Sequence, residues 1–95
     1  MPAVVRIGDN STGHECYPPM SATTGSPDVF VNGRPVVRVG DYWNSHACPS
    51  TPPHDGTASA GSSSVFVNGK AIMRVGDAIS CGDTAGEGSP DVFAG

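Results

Sequence analysis

With 95 residues and a formal charge of −4, the chain has room for one small domain and lacks the basic face that phosphate binding requires, which excludes nucleic acid as an expected partner. Only 37% of the residues are hydrophobic and 6% aromatic, against 13 Gly and 9 Pro, so a core built by the chain alone gives marginal stability. The apolar residues nevertheless gather in short β-branched runs, which predicts an ordered, loop-rich β domain over 1–95 held by an additional staple.

The opening Met1-Pro2-Ala3-Val4-Val5-Arg6 lacks the charged-then-apolar layout of a signal peptide, and no apolar run approaches the roughly 20 residues that span a bilayer. The expectation is a protein that starts in a cytoplasm, with any export by another route. Ala3 to Ile7 reads as a strand closed by Gly8-Asp9, and His14 follows five residues after Asp9. Beyond Cys16 and Pro18-Pro19 comes Ser26 to Asp41, two apolar runs joined by Asn32-Gly33. Asn-Gly predicts a two-residue type I′ hairpin, because both central residues of that turn need positive φ. His46 again follows its Gly-Asp by five residues, and a long polar connection carries Cys48, Pro52-Pro53, His54 and Ala58 to Ser64. A second hairpin, Ser62 to Asp77, turns at Asn68-Gly69, and Cys81 follows Asp77 by four. The chain closes on Ser89-Pro90-Asp91-Val92-Phe93-Ala94-Gly95.

These segments are one unit repeated three times. The third copy is split: residues 89–95 match the first strand of each hairpin and residues 3–9 the second, so both termini fall inside a third hairpin turn. Closure of the repeats around an axis accounts for that cut, and it leaves fewer bare strand edges than an open array. The predicted fold is an all-β, loop-rich cone of three pseudo-threefold hairpin repeats. Val4, Val29, Val31, Val36, Val65, Val67, Ile72 and Val92 are assigned to its core.

Equivalent loops bring His14, His46 and Cys81 towards the axis, and His54 supplies a fourth donor from the longest connection. Three imidazoles and one thiolate suit tetrahedral Zn²⁺ in a closed structural site, with iron the lesser candidate. Binding would add directly to folding, because the unfolded chain has no formed site. Cys16 and Cys48 also sit at equivalent positions and have three readings: replacement ligands, a disulfide with each other, or small buried apolar residues. Burial is the expectation, since free Cys is commonly buried. A bridge, which needs an oxidising compartment, comes next. Arg6, Arg38 and Arg74 are expected to pair locally with Asp9, Asp41 and Asp77 before meeting any partner's carboxylates.

Pro35-Val36-Val37-Arg38-Val39-Gly40-Asp41, with its copies Ala3-Val4-Val5-Arg6-Ile7-Gly8-Asp9 and Ala71-Ile72-Met73-Arg74-Val75-Gly76-Asp77, resembles the Pro-Ala-Ala-Arg repeat of the PAAR proteins, with Val, Ile and Met in place of the central alanines. The resemblance covers the whole chain. It implies a cone with a metal site near its apex, whose ligands map to His14, His46, His54 and Cys81. The implied function is a structural spike tip, one chain per trimeric β-helical spike, in a type VI secretion system or contractile phage tail. Such a tip sharpens the spike, pierces and crosses the target membrane, and helps attach effector proteins. A bare tip without an effector extension is expected, and a monomer when it is alone. The rival readings are a small structural zinc module that binds some other protein, and a zinc hydrolase using Glu15 or Asp55. Four protein ligands leave no open position for a catalytic water, so an enzyme is not expected.

Overall fold

The computed structural model describes residues 1–49 and 51–95, which form an elongated body of 39 × 24 × 22 Å without helices among them. Six short strands pair as three antiparallel hairpins: β1 (Phe30–Val31) with β2 (Arg34–Pro35), β3 (Tyr42–Cys48) with β4 (Thr51–Thr57), and β5 (Phe66–Val67) with β6 (Lys70–Ala71). Both Asn-Gly turns form as the sequence predicts. Asn32 and Gly33 have φ of 54° and 76°, Asn68 and Gly69 of 55° and 76°, and the register pairs Val31 with Arg34 and Val67 with Lys70.

The third hairpin is assembled from the two ends of the chain. Ala3 bridges Phe93, and the Val4 N–H donates to the Val92 carbonyl at 3.0 Å. That bond repeats the ones from Val36 to Val29 and from Ile72 to Val65. Closure around the axis is carried by the backbone. Val5 donates to Met73, Met73 to Val37 and Val37 to Val5, at 3.0, 2.9 and 2.9 Å, a ring of three bonds that an open array would not complete. A second ring runs through the loops, where Ser11 bridges Ala85, Trp43 bridges Ala22 and Ile79 bridges Ala58. Each hydrogen bond joins one repeat to the next, so no repeat is satisfied by itself.

Two apolar layers stack along the axis. Val4, Val36, Val67, Ile72 and Ala94 form one, and Val5, Val37, Met73, Met20, Trp43 and Ile79 lie in the other. Consecutive residues such as Val36 and Val37 are therefore both buried, one in each layer. This corrects the assignment of Val29, Val65 and Val92 to the core: they are 36–37% exposed, beside the still more exposed Phe30, Phe66 and Phe93. Strands of two residues are too short for the pleat to impose an inside and an outside face. Passage of the following segment through the axis decides burial instead. Val4, Val36, Val67 and Ile72 are buried as expected, and Val31 packs against them partly buried.

Gly25, Gly61 and Gly88 occupy equivalent positions where the chain crosses the next strand. A Cβ there would stand 2.6–2.8 Å from the carbonyl oxygens of Val36, Ile72 and Val4. Three local ion pairs also repeat, Arg6–Asp9, Arg38–Asp41 and Arg74–Asp77, at 2.9, 2.9 and 3.0 Å. The first two guanidinium groups also reach the side chain of an Asn turn, Arg6 to Asn32 and Arg38 to Asn68, so the pairs brace neighbouring hairpins.

Candidate metal centre

The loops after each Gly-Asp fold differently but converge. In the first, His14 and Tyr17 exchange backbone bonds across Glu15-Cys16, with Glu15 at φ 52°. The second loop, expected to be irregular through Pro52-Pro53, is the β3–β4 hairpin, whose strand β4 contains both prolines. A two-stranded sheet has only edge strands, where Pro is tolerated. Its register shifts between Trp43 and His46 and again between His46 and Cys48. Those irregularities turn Trp43, His46 and Cys48 to the same buried side although their spacing breaks strict alternation. His46 and His54 are cross-strand partners, which explains how a residue outside the repeat pattern reaches the axis. In the third loop, Cys81 is a free thiol that packs against the Trp43 layer.

His14, His46, His54 and Cys81 each offer one ligand atom, and all four atoms lie within 4.8 Å of one another. Nδ1 of His46 is 2.7 Å from the Pro18 carbonyl, an acceptor, so Nδ1 carries the proton and Nε2 presents a lone pair. That Nε2 lies 2.6 Å from Nε2 of His54. Two imidazole nitrogens this close, with a thiol beside them, form a donor set that can hold a metal ion. The His54 pKa is pushed down, first by burial and then by His46 and His14, which favours the neutral, ligating form. Tyr17 roofs the cluster. Its ring lies 4.1 Å from that of His54, and its hydroxyl donates to the Pro52 carbonyl at 2.9 Å.

Cys16 and Cys48 are joined in a disulfide, with Cα atoms 5.6 Å apart. This overturns the expectation of two buried free thiols. Cys16 lies on the exposed tight turn and Cys48 at the end of β3, and the ring of repeats carries them together. The third position of this set is Asp83, two residues after Cys81 as Cys16 and Cys48 are two after His14 and His46. Asp83 is 2% exposed. Its burial would raise the pKa, but hydrogen bonds from the Ser11 and Thr12 hydroxyls and the Thr84 and Gly13 amides outweigh burial and hold it low. The sequence reading missed Asp83 and Tyr17. For Asp83 the signal was present, because the position two beyond each candidate ligand carries a chemically specialised residue in all three loops.

The family described as PAAR motif matches residues 12–87 of the 95. The chain belongs to the PAAR-motif family. No curated protein matches it. In this PAAR protein the two middle positions of each motif are the consecutive residues that enter the two core layers, which is why Val, Ile and Met serve there. The motif arginine is the residue that closes each repeat on its Asp.

Proposed function

We propose that this PAAR protein caps the blunt end of a trimeric β-helical spike in a contractile injection machine, one chain per trimer, and sharpens it. The observation that carries this reading is the closed ring of repeats, which gives one chain three matching faces. Phe30, Phe66 and Phe93 stand at equivalent places on the hairpins, 55%, 58% and 49% exposed, with Val29, Val65 and Val92 beside them. A single chain with this arrangement matches a true threefold partner without breaking the partner's symmetry. Exposed aromatic side chains repeated around one axis are also a poor fit to solvent and a good fit to an apolar trimer end.

The His/Cys cluster would hold one zinc ion at the opposite end, beyond the Trp43 layer, as a structural staple. Four protein donors of this kind suit tetrahedral zinc and leave no place for a reacting water, so the role is mechanical rather than catalytic. The protein would be made in the cytoplasm and carried across the target membrane at the tip of the assembly, with effectors attached where the host machine uses them.

The test is native mass spectrometry of the chain mixed with a recombinant trimeric spike. One chain and one zinc per spike trimer is the expected result. Replacing Phe30, Phe66 and Phe93 with Asp should abolish the complex and leave the melting temperature of the free chain within a few degrees. Absence of a complex with the unsubstituted chain, or a stoichiometry of three chains per trimer, would overturn the reading.

A further inference from the structure

We propose that Asp83 is a positioning residue for the metal centre: its carboxylate accepts a hydrogen bond from the Nδ1–H of His14 and thereby turns Nε2 of that ring towards the ion. The inference rests on the metal-holding reading of the cluster. Nδ1 of His14 is buried and has no hydrogen-bond partner among the described residues, and Oδ2 of Asp83 lies 3.7 Å from it. The carboxylate is fixed from other directions. Oδ1 accepts from the Thr12 hydroxyl and the Thr84 amide, both at 2.8 Å, and Oδ2 accepts from the Gly13 amide at 3.1 Å. The Thr12 and Gly13 bonds come from the two residues that lead into His14, so Asp83 sets both the path of the His14 loop and the orientation of its ring.

His46 shows the same arrangement with another acceptor. Its Nδ1 faces the Pro18 carbonyl, and its Nε2 faces the cluster. Both histidines would then bind through Nε2, each with its Nδ1–H donating to an outer acceptor. Outer partners of this kind fix the tautomer and raise the basicity of a ligating imidazole. At 3.7 Å the two atoms are beyond hydrogen-bond distance, so the proposal requires the His14 ring to move towards Asp83 when an ion is bound. Asp83 also sits two residues from Cys81, so one carboxylate ties the ring of His14 to the loop that carries the thiolate donor.

The test compares the unsubstituted chain with Asp83→Asn by zinc competition against a chromophoric chelator. Asn keeps an oxygen for Thr12 and Thr84 but presents an amide both to His14 and to the Gly13 N–H, so zinc affinity should fall roughly 10- to 100-fold. Thr12→Val removes one of the bonds that fix the carboxylate but leaves its charge facing His14, so it should lower affinity by less than Asp83→Asn does. Two-bond ¹H–¹⁵N correlation spectra of the zinc-loaded, unsubstituted chain give a reading that needs no variant: a protonated Nδ1 and metal-bound Nε2 on His14 are expected. Wild-type affinity in Asp83→Asn, an equal loss in Thr12→Val, or a His14 protonated on Nε2 would each overturn the proposal. If the unsubstituted chain fails to take zinc from the chelator, the metal reading itself falls and takes the proposal with it. That outcome is distinct, because it appears before any substitution is made.

Discussion

Asp41 illustrates how a single side chain holds a repeat together. Burial acts to raise its pKa, but the Arg38 hydrogen bonds and ion pair, with the Thr24 hydroxyl, more than offset that and leave it lowered. A carboxylate held low in the folded state stabilises above the unfolded value of about 4, and the contribution disappears as pH falls through the folded value. Asp41→Asn is therefore expected to lower the melting temperature at neutral pH, with the difference from the unsubstituted chain shrinking below about pH 4; thermal melts across that range provide the check. Gly61 acts by absence. A methyl there would meet the Ile72 carbonyl at 2.7 Å, and Gly61→Ala should lower stability by about 1–3 kcal/mol in denaturant titration. At the metal centre, Cys81→Ala should lower zinc content and melting temperature together, while Cys16→Ser should leave zinc content unchanged. These outcomes are read by elemental analysis beside a thermal melt.

Among the elements, the disulfide and a metal held by the His/Cys cluster would be nearly parallel staples. Cys16 and Cys48 are 32 residues apart, and His14 and His46 are also 32 apart (46 − 14). Either link closes almost the same loop, and loop closure over that length is worth roughly 3–4 kcal/mol in the chain-entropy account. The second link adds little of that entropy once the first is in place, so the two effects should be strongly non-additive. The Cys16→Ser/Cys48→Ser double variant is expected to lose a few degrees of melting temperature with zinc bound and far more after chelation. Equal losses in both states would show that the two links act independently. The Asn-Gly hairpins bear strain of another sort: Asn68 holds φ at 55°, and Asn68→Ala should cost about 1–2 kcal/mol for the left-handed conformation, beyond the lost bond to Arg38.

At the scale of the whole molecule, the symmetry is closer in the backbone than in the side chains. The Val5–Met73–Val37 ring has near-equal bonds, yet the positions two residues after each Gly-Asp are Ser11, Trp43 and Ile79. One indole, fully buried, fills space that three like residues would have shared. Trp43→Ala should cost about 3–5 kcal/mol, a large share of the roughly 5–15 kcal/mol typical of a domain, and the loss is readable in thermal melts followed by circular dichroism with and without zinc. The same asymmetry appears at the His/Cys cluster, where two histidines come from one hairpin and one side chain from each of the other loops. Threefold symmetry at the hairpin end would suit a threefold partner, while a tetrahedral ion, if held at the other end, would need four donors from three repeats.

Much of this was legible because it rests on local chemistry. Asn-Gly dictates its turn, the split third repeat requires the ends to meet, and His14, His46, His54 and Cys81 stand where polar loops carry residues suited to a soft-edged cation. What the strands bury was not legible, since Val29, Val65 and Val92 alternate correctly but belong to elements too short to have two faces. The disulfide is undecided in the sequence for a related reason: equal spacing says that Cys16 and Cys48 are equivalent, and only ring closure says that they are within bonding distance. Asp83 is marked by its place two residues after Cys81, but what it and Tyr17 touch depends on the tertiary structure, because Asp83 reaches Thr12 and Gly13 and Tyr17 reaches Pro52 and His54 in other loops. The sequence determined the repeat, its turns and its donor set by itself; the closed backbone ring decided which of those groups meet, because each repeat completes its hydrogen bonds only on its neighbour.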